Sequence, residues 1–232
     1  MGIFSKKSPD ALPAGLVDLT KKASVSLTKS GLSDHRAAVY LVLDHSGSMD
    51  PYYRDGSVQR LAEQALGLSA NLDDDGTVPL VYFGSSASRP QDVTLTGYSG
   101  VIERTHKHQP WGYTDYVAGM NEVVSHYQAS GATDPALVIF QTDGSPDSRP
   151  AAEGALRSYS GLPVFWAFVG FGPKSAMEFL AQLDDLPGRQ VDNASFFHAA
   201  NPKNTRDEDL YDGITGQYAA WLAAARAAGI VR

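Results

Sequence analysis

Residues 37–48 read AAVYLVLDHSGS, and the two halves of that stretch carry different information. Residues 37–43 are continuously apolar or aromatic and are bounded by Arg36 and Asp44. A short unbroken run predicts a strand buried on both faces, because a strand with one wet face alternates instead. The polar half, Asp44-His45-Ser46-Gly47-Ser48, then falls at the carboxyl end of that strand.

Working outward, Val58, Leu61, Ala65, Leu68 and Leu72 recur at intervals of three and four, which predicts one buried face of a helix. Residues 78–83 read as a second strand and 92–96 as its hairpin neighbour. A helix is predicted over 116–127. Residues 136–140, ALVIF, form another fully apolar strand. Helices over 151–159 and 175–183 alternate with strands at 164–169 and 195–199. In the strand at 164–169, Trp166 and Phe168 share one face and are expected in the core. A last helix starts near Thr205, where Thr205 and Glu208 have capping-box spacing. Its apolar stripe is Leu210, Ile214, Tyr218, Trp221, Leu222 and Ala225. Residues 1–35 read as an N-terminal extension punctuated by Pro9, Pro13, Gly15 and Gly31, with basic charge at Lys6, Lys7, Lys21, Lys22 and Lys29. There Val25 and Leu27 alternate with Ser24, Ser26 and Thr28, which predicts a short edge strand near 24–28. Buried strands alternating with helices imply an α/β fold over 36–232. Its sheet is mostly parallel, with one antiparallel edge strand and helices on both faces.

The composition narrows the chemistry. The chain has 232 residues, no cysteine, and 19 Lys+Arg against 26 Asp+Glu, a net charge of −7. Without cysteine there are no disulfides, thiolate metal sites or thiol nucleophiles. The acidic balance argues against a nucleic-acid backbone as the main partner. No apolar run approaches the ~20 residues of a membrane span, and no signal-peptide pattern opens the chain. The expected location is therefore the cytoplasm. Asn193-Ala194-Ser195 matches a glycosylation sequon, read here as chance.

Three short segments carry chemistry. They are Asp44–Ser48 after the first buried strand, Gly112-Tyr113-Thr114-Asp115 before a helix, and Thr142-Asp143-Gly144 after the 136–140 strand. In open parallel sheets, ligands bind outside the carboxyl ends of the strands, near the reversal of strand order. If the two strands are neighbours, Asp44 and Asp143 converge. With Ser46, Ser48 and Thr114 they make a hard, all-oxygen donor set, which selects Mg²⁺, Ca²⁺ or Mn²⁺ over zinc or copper. Neutral hydroxyls quench little of the ion's charge. The ion then takes an anionic ligand from outside, most simply a Glu or Asp of another protein.

The pattern D-x-S-x-S, then T, then D, on the strand ends of an α/β sheet resembles the metal-ion-dependent adhesion site of the von Willebrand factor A (vWA) domain. Asp44, Ser46, Ser48, Thr114 and Asp143 match its five positions. Further stretches look like the TerF-like group of bacterial vWA proteins, which is linked to tellurium and toxic-cation resistance. They are VSLTK at 25–29, DPYYRDGSVQ at 50–59, LDDDG at 72–76, FWAFVGFG at 165–172, LDDLPGRQVDNASFF at 183–197 and DEDLY at 207–211. The resemblance implies a Rossmann-like fold, metal-dependent protein binding in a stress response, and no enzymatic activity. One departure is Gly112-Tyr113-Thr114-Asp115, where many relatives carry Gly-Gly-Thr and Asn. Asp115 there either adds negative charge beside the ion, favouring Ca²⁺, or caps the next helix.

Candidate partner contacts around the five ligands are His45, Tyr52, Trp111, Tyr113 and Asp115. Trp111 is expected to be half exposed, and Tyr52, Tyr53 and Arg54 either rim the site or cover the sheet edge. Asp73-Asp74-Asp75-Gly76 reads as an acidic turn rather than a calcium loop, because consecutive acids lack the alternate spacing of one. His106 and His108 are placed on a surface loop. Gly170-Phe171-Gly172 reads as a tight strand-to-helix turn, since a dinucleotide fingerprint wants a third glycine where Ser175 stands. The alternative function is a Mg²⁺-dependent hydrolase with Asp44 as a phosphoryl acceptor. Such enzymes want a second acid two residues on, and Ser46 occupies that place. Neither serine lies in a G-x-S-x-G elbow.

Overall fold

The two fully apolar runs become the two central strands of one sheet. In the computed structural model, which describes residues 12–73 and 75–232, the strands are β1 (Ala38–Asp44), β2 (Thr77–Phe83), β3 (Gln91–Thr94), β4 (Ala136–Thr142), β5 (Val164–Phe171) and β6 (Ala194–Ala199). Their spatial order is β3-β2-β1-β4-β5-β6. All pairings are parallel except β2 with β3. The order reverses between β1 and β4, so the switch point lies between Asp44 and the end of β4. The register sets Leu43 opposite Gln141 there.

The helices are α1 (Ala14–Lys29), α2 (Asp50–Arg54), α3 (Ser57–Leu72), α4 (Val101–Thr105), α5 (Tyr116–Ser130), α6 (Arg149–Ser158), α7 (Glu178–Asp184) and α8 (Asp207–Ala227). The period-two alternation of β1 divides the core. Val39, Leu41 and Leu43 pack with residues of α1, α3 and α8 on one face. Tyr40 and Val42 pack with α5, α6 and α7 on the other, where Trp166 and Phe168 also lie fully buried. Each such apolar side chain contributes roughly 1.5–3 kcal/mol on burial, most of it offset by chain entropy.

The edge strand expected near 24–28 is a helix. The alternation of Val25 and Leu27 spans too few residues to outweigh a longer pattern, in which Leu16, Leu19, Ala23 and Leu27 line one helical face and are buried. Val25 falls on the opposite face and is 55% exposed. Helix α1 packs closely against α3 and α8. A Cβ on Gly67 of α3 would sit 2.9 Å from both Leu19 Cβ and the Tyr211 hydroxyl. The expected basic positions Lys6 and Lys7, and Pro9, lie outside the described residues.

The Thr205–Glu208 capping box does not form. Helix α8 begins at Asp207, and the Thr205 hydroxyl turns back to donate to the Asn201 carbonyl at 3.1 Å. Asp207 is nearly buried and ties three helices together instead. It accepts from Lys22 of α1 at 2.9 Å, from Arg60 of α3 at 2.7 and 2.8 Å, and from Gln64 of α3 at 2.8 Å. Burial pushes its carboxyl up, but these donors outweigh burial and hold it below the usual carboxylate range. Asn193 is buried, and its side-chain amide donates to the Leu156 carbonyl at 3.2 Å, so the sequon is closed to modification.

Candidate metal centre

Asp44 ends β1 with no exposed surface. Its Oδ1 accepts the Ser46 backbone N–H at 2.8 Å, an Asx turn that sends the chain out of the strand. A 3-10 turn over Gly47–Met49 follows and brings the Ser46 and Ser48 hydroxyls to 3.2 Å from one another. The Ser48 hydroxyl donates to Asp143 Oδ1 at 2.9 Å. Four of the five expected ligands are thus linked across the β1 and β4 ends.

Thr114 arrives on the third loop. That loop is fastened to the first by a backbone bridge between Ser46 and Gly112, with the Gly112 N–H donating to the His45 carbonyl at 3.1 Å. The crossing needs glycine, because a Cβ on Gly112 would lie 2.4 Å from the Ser85 nitrogen. Beyond Thr114, Asp115 caps α5, its Oδ1 accepting the Ala118 N–H at 3.2 Å, which is the second of the two roles open to it. The Thr114 hydroxyl makes no hydrogen bond among the described residues, so it is available to a ligand.

Three further residues support the site from outside the five expected ligands. Thr142 donates to Asp44 Oδ2 at 2.6 Å and so occupies the carboxylate's second oxygen. Asp147 holds Thr114 from two sides: it accepts the Thr114 N–H at 3.0 Å, and its own N–H donates to the Thr114 carbonyl at 3.0 Å. Buried Tyr53 donates to the Asp44 carbonyl at 2.9 Å. Thr142 stands next to Asp143 at a strand end, which is a weak signal. Tyr53 is expected only at the rim, and the structure puts it beneath the Asp44 carbonyl instead, whereas Asp147 carries no spacing signal.

Burial pushes the Asp44 carboxyl up to about 6, against the hydrogen bonds from Thr142 and Ser46. Burial also raises Asp143, against its bond from Ser48. Two carboxyls disfavoured in their charged form, beside three hydroxyls and no imidazole or thiol, make a donor set that a hard divalent cation fits. Among the described residues no group of three or more His, Asp or Glu side chains forms an alternative metal cage. In the acidic turn, Asp73 accepts from the Asp75 N–H at 3.3 Å and Asp75 from the Thr77 N–H at 2.7 Å, so these carboxylates shape the turn. Asp74 lies outside the described residues.

The expected partner contacts divide. His45 is 1% exposed and cannot reach a partner. The backbone bridge that joins the loops turns its ring inward, where it stacks on Trp111 at 3.9 Å between centroids. Its Nδ1 lies 3.1 Å from the Pro110 carbonyl, which accepts, so Nδ1 carries the proton. Tyr52 covers the end of β5, with its ring 5.4 Å from Phe171. Trp111 and Tyr113 are exposed, at 45% and 75%. His108 is at the surface as expected, whereas His106 is half-buried and stacked on Tyr53 at 4.9 Å. Gly172 adopts φ +103° in the turn after β5, ahead of the 3-10 turn Lys174–Ala176, in keeping with a tight strand-to-helix turn.

The vWA-TerF-like family, described as "vWA found in TerF C terminus", matches residues 36–231. The chain belongs to this family. A vWA-TerF-like relative, "Uncharacterized protein YcbR" of Bacillus subtilis (strain 168), is 33% identical over 222 residues, covering 93% of this chain and 90% of its own. Among solved structures, a von Willebrand factor type A protein from Catenulispora acidiphila aligns with TM-score 0.56 at 15% identity, over 78% of this chain and 42% of its own. The chain thus spans less than half the length of that protein. Manganese-loaded Plasmodium vivax TRAP protein aligns with TM-score 0.56 at 21% identity, over 77% of this chain and 74% of its own. A proximal thread matrix protein of the mussel byssus, with a zinc-occupied MIDAS motif, aligns with TM-score 0.54 at 16% identity, over 79% of this chain and 48% of its own. At these identities the structural likeness establishes the vWA fold. No helix among the described residues of this vWA-TerF-like chain is long and apolar enough to cross a membrane.

Proposed function

We propose that this vWA-TerF-like protein is a divalent-metal-dependent protein-binding module. The observation that carries the reading is the linked set of Asp44, Ser46, Ser48 and Asp143 at the switch point, with the unbonded Thr114 hydroxyl on the loop that Gly112 bridges to Ser46. Ser46, Ser48 and Thr114 would hold Mg²⁺, Ca²⁺ or Mn²⁺ through their hydroxyls, and Asp44 and Asp143 directly or through waters. A cation held mainly by neutral oxygens remains electrophilic and accepts a carboxylate from a partner's Asp or Glu. Thr142 and Asp147 keep Asp44 and Thr114 in place. Manganese and zinc in the two neighbours named above support a divalent ion in such a fold.

Binding rather than hydrolysis is supported by the placement of Asp44. It has no exposed surface, and the Ser46 N–H and the Thr142 hydroxyl fix its two oxygens, which suits holding a small cation or its waters rather than in-line attack on a bulky phosphoryl group. A role in tellurium or toxic-cation stress, in the cytoplasm, rests on membership of the TerF-like group. It is tested by comparing growth under tellurite with wild type and with Asp44→Ala.

The direct test is calorimetric titration with Mg²⁺, Mn²⁺ and Ca²⁺ of wild type and Asp44→Ala, with circular dichroism to check the fold. Saturable binding by wild type and none by a folded Asp44→Ala is expected. Equal binding by both would refute the reading.

A further inference from the structure

Of the three large hydrophobic side chains exposed among the described residues, two are Trp111 and Tyr113, on either side of Gly112 and next to the ligand Thr114. Tryptophan and tyrosine are the side chains that most often anchor protein interfaces. Trp111 also walls a recess of about 490 Å³ that includes Asp50, two residues past Ser48. The recess is thus walled by α2, which follows the metal loop, and by Gln109–Trp111, which lead into the Thr114 loop.

Three of its nine lining residues are aromatic. Tyr53 forms the buried base, and the His106 ring stacks on it with centroids 4.9 Å apart. Trp111 meets Tyr53 edge-on at 5.6 Å. The charges at the mouth cancel: Arg54 pairs with Asp50 at 2.9 Å, and Lys107 pairs with Glu103. A charged guest finds no unpaired counter-ion there, and a cationic guest would also meet the bound dication next door. An apolar or aromatic guest needs no counter-ion there and packs against the exposed Trp111, beside the His106 ring.

The Trp111 side of the recess is held in place. Trp111 lies flat on the buried His45 ring, 13° from parallel, and His45 Nε2 lies 3.5 Å from His106 Nδ1. His45 itself sits between the ligands Asp44 and Ser46. One buried imidazole thus fixes the recess wall to the metal loop, and a side chain seated against Trp111 is held at a set offset from the ion.

We propose that the partner segment offering the acid also carries an aromatic or branched apolar side chain beside it, and that this side chain seats in the recess between Trp111, His106 and Tyr53. The inference rests on the metal-dependent reading and narrows its partner to an acidic-aromatic protein segment.

The probe is an array of capped heptapeptides with a central Asp, Glu or Asn and every residue type at each flanking position. It is read with the full chain in Mg²⁺ and again in EDTA. Hits are confirmed through Trp111 fluorescence, since Trp166 and Trp221 are buried and Trp111 alone is open to iodide quenching. The expected result is Mg²⁺-dependent binding that needs the acid and favours Phe, Trp, Tyr, Leu or Ile next to it, with Trp111 shielded from iodide. Trp111→Ala should weaken the aromatic peptides about tenfold or more and erase the flank preference, while Trp111→Phe keeps it. Acid- and Mg²⁺-dependent binding with no flank preference, or with a preference that Trp111→Ala retains, overturns the inference and leaves the metal reading standing. Binding indifferent to EDTA and to Asp against Asn refutes the metal reading itself. An array without any binder counts against the recess proposal, with the calorimetric titration deciding the metal reading separately.

Discussion

Replacing Asp207 by Asn keeps the side chain's shape and removes its charge, so it tests whether the three-helix junction is held by that carboxylate. In wild type Asp207 is 6% exposed and accepts four short hydrogen bonds, three of them from Lys22 and Arg60. Charge-assisted bonds contribute about 1.5–3 kcal/mol each when buried on both sides. Here the cations are only partly buried, with side chains 29% and 41% exposed, so on losing their partner they recover much of their hydration. Gln64, which is 5% exposed, keeps a neutral bond to the new amide oxygen. The substitution also removes one of three acids from the first turn of α8, at about 0.3–1 kcal/mol. The net expectation is a loss of about 2–3 kcal/mol at neutral pH. For a chain of this size that lowers the thermal midpoint by about 4–10 °C. Urea unfolding followed by far-UV circular dichroism measures it directly. The pH dependence gives a second reading. The folded carboxyl titrates below its unfolded value, so its stabilisation is present above the unfolded pKa and is lost as the pH falls through the folded one. The gap between wild type and Asp207→Asn should therefore close in acid. A midpoint shift under about 1 °C, or a gap that persists unchanged in acid, would show that packing alone holds α1, α3 and α8.

His35 lies where its ring meets the Tyr218 hydroxyl at 2.8 Å, and burial, then the nearby Arg226, push it down from 6.5 to about 4, against the opposing charge of Asp134. Its folded pKa is depressed, so the stability tied to neutral His35 is complete above about 6.5 and is lost as the pH falls through about 4. After discounting for partial exposure this is about 1–2 kcal/mol, and in urea titrations at several pH values His35→Gln should flatten that slope. Gly67→Ala should destabilise by about 1–3 kcal/mol in the same assay, although alanine favours helix, because the new Cβ has no room between Leu19 and Tyr211. A stabilised variant would mean that α1 packs more loosely than described. Thr142→Val should leave the fold intact and weaken cation binding about 10–100-fold in calorimetry, through loss of the bond to Asp44 Oδ2. An unchanged affinity would remove Thr142 from the site.

The strands and the five candidate ligands were legible in the chain because their signals are local. A strand buried on both faces must be apolar without interruption, as in 37–43 and 136–140. A loop at the carboxyl end of such a strand can turn on Asp44 and Ser46 without help from elsewhere. Those features needed only neighbours in sequence. The sequence at α1 reads as a strand because five residues of alternation fit one, while the helix's buried face is defined by contacts with α3 and α8, up to 189 positions away. The same distance hid Asp207, which stands in the acidic run Asp207-Glu208-Asp209 and takes its role only where Lys22, Arg60 and Gln64 close on it. His45 shows the difference most plainly. In the sequence it is a polar residue in a Gly-Ser loop, and so a candidate contact. In the folded chain the bridge between Ser46 and Gly112 turns its ring inward against Trp111. Periodicity and turn chemistry specify which residues are buried and where strands end. Which loops meet above those ends, and which side chain is left facing outward, is decided when distant segments compete for the same space.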